Sequence, residues 1–195
     1  RTYNSNASYT YNGTAAQVTG NGLPVALSSL STLTINNTSS VTTLGVTLSQ
    51  ATSTSGTFTL TAGRFITSGA TLFTINDDGI SSSSGSITAF VDGPMKKIGN
   101  DAFIFPTGDV YTNNVPAQAA KWARVEIVAP TSITDAFTAE YHKVNDPCNI
   151  SQVISSVNGP GIDHVSYKEY WDLTRDAGTS TPHVKLYWAD GSTST

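Results

Sequence analysis

Acidic side chains that fall close together are the first place to look for chemistry in this sequence. Asp77-Asp78-Gly79, preceded by Asn76, offers carboxylates and an amide to a calcium ion. Asp101 and Asp109 flank an aromatic segment and, with Asp92, form a second set that folding could gather around one cation. Calcium takes about six to eight oxygen ligands, and neither set supplies more than a few charged ones locally. Neither spacing matches a helix-loop-helix calcium loop or a calcium-binding nonapeptide. Asp-Gly between two apolar strings also reads simply as a tight turn. Calcium at Asp77, Asp78, Asp92, Asp101 and Asp109 is the one cofactor left open, and no other is called for.

The remaining candidates are more dispersed. His142, His164 and His183 have no partner at the short spacing that zinc ligands use on one strand or helix. Glu169, Asp172 and Asp176 beside Arg175 could be imagined as a glycosidase carboxylate pair. Neighbouring residues of a strand point to opposite faces, however, so this spacing argues for a solvated edge with an ion pair. Cys148 is the single cysteine; it excludes an internal disulfide, and a thiol nucleophile would need a matched His and Asn. Thr57, Thr59 and Thr61 share one strand face, yet the ladder does not recur in register as an ice-binding surface requires. The aromatic residues offer more. Trp122, Tyr170, Trp171, Tyr187 and Trp188 are candidates for stacking on sugar rings, with one ring of each adjacent pair expected in the core and the other exposed.

The elements that must position these groups follow from an unusual composition. Only 12% of the 195 residues are charged, against about 25% in an average domain. Ser, Thr, Asn and Gly fill the gap, a mixture that suits strands and the turns between them. The net charge of −4 gives no basic surface for phosphates, so nucleic acid is excluded as a partner. No run of about 20 apolar residues exists, so no helix is expected to insert in a membrane. The opening has no signal-like segment and both ends read as cut, which points to a mature product or a fragment of something longer.

Charge is also unevenly distributed. From Thr2 to Gly63 there is no Asp, Glu, Lys or Arg. That third of the chain cannot supply a general acid, a metal cluster or a phosphate clamp, and is scaffold or contact surface. Within it, apolar-Thr-apolar triplets recur at Leu33-Thr34-Ile35, Val46-Thr47-Leu48 and Phe58-Thr59-Leu60, continued by Leu72 to Ile75 and Ile87 to Phe90. Pairing alternate triplets predicts a parallel β-helix-like solenoid with two strands in each rung of roughly 25 to 28 residues. A Greek-key sandwich is the competing arrangement. Gly93 to Gly99 reads as a charged turn and Ala102 to Pro106 as a short aromatic strand. Trp122–Val128, Ala136–His142, Tyr167–Leu173 and His183–Trp188 then alternate as antiparallel strands. Helical turns fit only at 117–120 and 151–156. The expected class is all-β: a Ser/Thr-rich solenoid over 1–108, then a β-sandwich-like segment over 109–195, each incomplete at its chain end.

Ser8-Tyr9-Thr10-Tyr11-Asn12-Gly13-Thr14-Ala15-Ala16-Gln17-Val18-Thr19-Gly20 resembles a segment of very large cell-surface and secreted proteins exported by the type IX secretion system. Leu23-Pro24, Leu33 to Asn37 and Val46 to Leu48 stand where those proteins carry similar rungs. Gly93 to Asn100 followed by Phe103 to Asp109 is similar to the segment that closes such an array, and Asp135 to Tyr141, His164 to Ser166 and Glu169 to Leu173 extend the likeness. The resemblance implies a repeat-bearing, adhesin-like segment of a larger extracellular protein and transfers no catalytic motif. The expectation is therefore a non-catalytic structural or adhesive segment at the bacterial cell surface. Its partners would be other surface-protein segments or copies of itself, with a filament as one outcome. A carbohydrate-binding module using the Trp and Tyr side chains is the alternative, so polysaccharide remains a partner to test. A polysaccharide-degrading enzyme comes third, since the first rungs carry no ionisable group.

Overall fold

The computed structural model describes residues 3–39, 45–110, 120–143 and 169–187. The chain is all-β and begins as a right-sized spool of parallel strands, each turn laid on the one before. The first turn consists of β1 (Tyr9–Tyr11), β2 (Gln17–Val18) and β3 (Ala26–Leu27); the second of β4 (Thr32–Asn36), β5 (Val46–Thr47) and β6 (Thr52–Thr54). The third holds β7 (Thr57–Ile66) and β8 (Phe73–Ile75), and the fourth β9 (Ile80–Ser81), β10 (Ala89–Asp92) and β11 (Met95–Ile98). In the resulting stacks Leu33 lies beside Phe58, Phe65 beside Val91, and Phe73 beside Met95, all in parallel register.

A turn thus has three faces, where alternation of the triplets alone suggested two. The long strand β7 explains the difference. Its first half pairs with β4 and its second with β5, so one continuous strand serves two faces and bends between them. The bend falls at Gly63, whose φ of +87° suits glycine and whose missing Cβ leaves room for the Asn37 carbonyl. Asn37 is fully buried at that corner and donates from Nδ2 to the Ala15 carbonyl and to Gln17 Oε1, tying the second turn to the first.

Inward residues of every face meet in one core. Phe58, Phe65 and Phe73, one from each face of the third turn, pack with ring centroids 4.7 to 5.5 Å apart. Full burial of each ring is worth about 1.5–3 kcal/mol, with about 0.5–1.5 kcal/mol more per ring pair. Threonine enters this core because its hydroxyl finds nearby backbone. Thr54, fully buried, accepts from the Gly56 N–H, and Thr52 donates to the Gln50 carbonyl.

The last turn, β12 (Phe103–Phe105) and β13 (Thr107–Asp109), leads into antiparallel strands. β14 (Lys121–Trp122) pairs with β13, and β15 (Val125–Ile127) with β12 and with β18 (Val184–Leu186). β16 (Ala136–His142) lies antiparallel to β11, and β17 (Tyr170–Ala177) lies outside β16. These strands extend the spool's own sheets, and one apolar core runs from Leu23 in the first turn to Phe137 and Ala139 in β16. Two expectations are corrected here. Gly93 to Gly99 is not a simple charged turn, because Met95–Ile98 is a strand inside a six-stranded sheet with Met95 and Lys97 buried. Trp122–Val128 is two strands in different sheets, not one. Of the two helical turns, only Ala120 falls within the described residues. No helix among them is long and apolar enough to cross a membrane.

Candidate functional site

Stacking of turns brings Asp101 to the corner that holds Asp77 and Asp78, and their carboxylate oxygens lie within 4.8 Å of one another. The turn Asn76-Asp77-Asp78-Gly79 is closed by a Gly79 N–H to Asn76 carbonyl bond of 3.1 Å, with Asp78 at φ +60°. Lys97, on β11 beside Ile75, extends its side chain into this corner. Its ammonium donates to the Asn76 carbonyl at 2.9 Å, to the Gly79 carbonyl at 3.2 Å and to Asp101 Oδ2 at 2.9 Å. Those three bonds use every proton the ammonium has. Asp101 Oδ2 also accepts from the Asp78 N–H, and Asp77 Oδ1 from the Asn100 N–H. The hydrogen bond from Lys97 holds the Asp101 carboxyl below the usual carboxylate range. The positive charge at this acidic corner is therefore a lysine of the chain itself, bonded to the Asp101 carboxylate and to two of the corner's carbonyls.

Asp92 and Asp109 do not join that corner. They stand at the ends of β10 and β13, which are neighbours in another sheet, so the set Asp92, Asp101 and Asp109 is split between two places. Asp92 pairs with Arg64 at 2.9 Å. Burial pushes the Asp92 carboxyl up to about 6 against the pull of Arg64, with Asp109 and Glu140 adding to the rise. Asp109 accepts from the backbone N–H of Lys143.

The histidines and the C-terminal acids are also dispersed. His142 lies 3.2 Å from Asp172 and stacks on Tyr170 at 4.5 Å. His183 lies beside β18 in a different sheet, where its carbonyl accepts from Val128, and His164 and Cys148 fall outside the described residues. Glu169 accepts from the Tyr141 hydroxyl, Asp176 from Thr138 while also meeting Lys96, and Arg175 donates to the Ser180 carbonyl. Each has a neighbour of its own, and the glycosidase-like pair is not assembled.

The aromatic candidates divide into two groups. Trp171 packs on Tyr141 with centroids 5.3 Å apart and donates from its indole to the Ala123 carbonyl, so it belongs largely to the core. Trp122 and Tyr187 hold the Arg124 guanidinium, which lies 4.4 Å from one ring and 4.3 Å from the other. Tyr187 also donates to Glu126. Arg124 was not a sequence candidate; its place between Trp122 and Tyr187 depends on β15 and β18 pairing across a long chain separation. Trp188 lies outside the described residues. Expected one-in, one-out partition of Tyr170 and Trp171 is not seen: both are half-buried.

Between β9 and β12 runs an open groove of about 370 Å³, lined by Asp78 to Ser84 on one side and Asp101 to Ile104 on the other. The aspartate corner closes one end. At the other, Ser84 accepts from the Trp122 indole and, through its hydroxyl, from Arg124. Comparison with known protein families, curated proteins and solved structures finds no match to this chain.

Proposed function

We propose that this chain is a non-catalytic structural and adhesive segment of a larger extracellular bacterial protein, working through contact surface rather than chemistry. The observation that carries the reading is where the charge goes. The first two and a half turns have none. Beyond them Arg64, Lys96, Lys97, Arg124, Arg175 and Lys185 are each committed to an internal partner. A general acid or base has to present an ionisable group to a substrate at the right distance, and these groups instead tie strands together. The likeness to type IX-exported adhesins seen in the sequence supports the same reading and the extracellular setting.

The test is retention of beads coated with the chain on surfaces bearing polysaccharides, host-type glycans or the same chain, together with turnover on a panel of plant and algal polysaccharides. Retention without product supports the reading. New reducing ends or unsaturated sugars overturn it.

A carbohydrate-binding role is the second reading, and the groove favours it: serine hydroxyls, Asp78, Asp101 and Phe103 line a volume within the range of small-ligand sites, about 300–1,000 Å³. Polysaccharide pull-down that is lost in Ser82→Trp, which fills the groove from its exposed rim, supports it. Pull-down unchanged by that substitution removes it.

A further inference from the structure

One column of the spool stacks Leu33 on Phe58, and the next residue in that column is Ser81. Serine fills far less space than the leucine and phenylalanine before it, and the groove between β9 and β12 opens at this place. Both strands lie within the spool, with parallel turns before them and antiparallel strands after. β12 follows β9 at the rung spacing at which β9 follows β7, yet no ladder joins β9 to β12 among the described residues. β9 pairs with β7, and β12 pairs on its other side with β15. The Ile80 and Ser82 N–H groups donate to the Gly56 and Phe58 carbonyls of the third turn. Alternation along a strand therefore turns the Ser81 N–H between them toward β12. The groove is bridged at its ends, by the Asp78 N–H on Asp101 Oδ2 at 3.2 Å and by the Trp122 indole on the Ser84 carbonyl at 3.0 Å.

The geometry points to this groove as the seat of an extended peptide segment of a partner protein, added as a strand between β9 and β12 with a lysine or arginine at the aspartate end. The inference rests on the adhesive reading above and deepens it, by naming what one part of the contact surface holds. Two strand edges facing one gap offer backbone donors and acceptors on both sides, which an extended peptide matches along its length. Ile80 is 54% exposed beside the gap and Phe103 also lines it, so an apolar side chain of the added strand gains cover from both. At the corner, Asp77, Asp78 and Asp101 set three carboxylates against the single ammonium of Lys97, and Asp78 is exposed, so charge complementarity calls for a cation there. A sugar is less well served. The rings of Trp122 and Tyr187, which could stack on one, are already filled by Arg124.

The experiment is fluorescence polarisation of the full chain with labelled peptides of about six residues, the length of an ordinary strand. The peptides alternate valine with threonine and carry one lysine, placed at either end so that both strand directions are sampled. Controls are the same peptides with glutamate in place of lysine, the same peptides with alternate backbone nitrogens methylated, and a labelled xylo-oligosaccharide. Asp78→Asn removes charge at the corner with a residue that tolerates the φ of +60°. Ser82→Trp fills the groove, and circular dichroism and melting check that both variants fold. The expected result is saturable binding of a lysine peptide, about tenfold weaker on methylation and lost in Ser82→Trp. In Asp78→Asn the lysine peptide should bind about two- to fivefold more weakly. The inference is overturned if no lysine peptide binds up to millimolar concentration, if methylation or Ser82→Trp has no effect, or if glutamate peptides bind equally well. Binding of the xylo-oligosaccharide with the peptides ignored also overturns it and returns the groove to carbohydrate. Bead retention without peptide binding leaves the adhesive reading standing and removes only the strand site, whereas peptide binding without bead retention does the reverse.

Discussion

Replacing Lys97 by Met tests whether the acidic corner is a structural lock with its own cation. Methionine keeps most of the buried alkyl volume and removes the ammonium. Lys97 is 1% exposed, so the loss falls on groups that solvent cannot fully rescue. Breaking a buried ion pair costs about 3–5 kcal/mol, but the partner Asp101 is 40% exposed, which moves its share toward the small values of surface pairs. The Asn76 and Gly79 carbonyls lose a donor as well, at about 1–3 kcal/mol for a buried unsatisfied group. A net loss of about 3 kcal/mol is expected, equivalent to a fall in Tm of about 6–12 °C for a chain of this size. Lys96→Met, which removes only the more exposed pair with Asp176, is the comparison and should cost about 0–1 kcal/mol. The assay is thermal and urea unfolding with and without millimolar calcium. With the ammonium gone, Asp77, Asp78 and Asp101 face one another without a counter-charge, so calcium should raise the Tm of Lys97→Met and leave the wild type unchanged. A Lys97→Met protein within about 1 kcal/mol of wild type, by the central range for surface pairs, would refute the lock. Wild-type protein stabilised by calcium as strongly as the variant would refute the claim that lysine fills the cation's place.

Phe73→Ala removes one of three mutually packed rings and should cost about 3–5 kcal/mol; urea unfolding checks it, and a loss under about 1 kcal/mol would show that the third face does not carry the core. Asp92 gives a pH dependence of unusual sign. Its folded value of about 6 lies above the ordinary carboxylate range near 4, so between those limits the native state holds a proton that the unfolded chain releases. Stability from this group therefore rises as pH is lowered from above 6 toward 4, opposite to Asp101, whose contribution is complete above the ordinary carboxylate range and is lost as pH falls from that range through its lowered folded value. Carboxyl NMR should place the Asp92 midpoint near 6, and a midpoint at or below 4 would sink the argument.

The parallel spool was legible because its apolar triplets repeat at one rung spacing: Leu33 and Phe58, picked out by alternation, do lie side by side. The third face was not, because its strands give alternation little to read. β6 is Thr52-Ser53-Thr54, with threonines buried and satisfied by local backbone, and β3 is only Ala26-Leu27. β11 was hidden by its lysines. Between two glycines, Met95-Lys96-Lys97-Ile98 has the look of a solvated turn, and nothing local shows that the Lys97 ammonium meets two carbonyls of the preceding corner as well as Asp101. The acidic corner was half legible. Asp77 and Asp78 are adjacent, but Asp101 joins them only because one turn of the spool separates them, while Asp92 and Asp109 go to another sheet for the same reason. Trp122 and Tyr187 were named as a platform without Arg124, which occupies the space between them.

The uneven charge of this sequence makes sense once the two ends of the spool are compared. Partly exposed ion pairs such as Lys96–Asp176 and Lys185–Glu126 add about 0–1 kcal/mol each, too little to explain why they cluster where they do. They do more as specificity devices. Lys96 on β11 reaches Asp176 on β17 across the intervening β16, which holds the antiparallel cap in register on the last parallel turns. The same charges make β17 a poor template for a foreign strand. An edge that must stay single is expected to carry such devices, and the cap does. An edge that is to be paired gains nothing from them and would pay to desolvate any charge it held. Residues 3–39 hold none, so the charged devices of this fold are confined to its later turns and to the antiparallel strands that follow them.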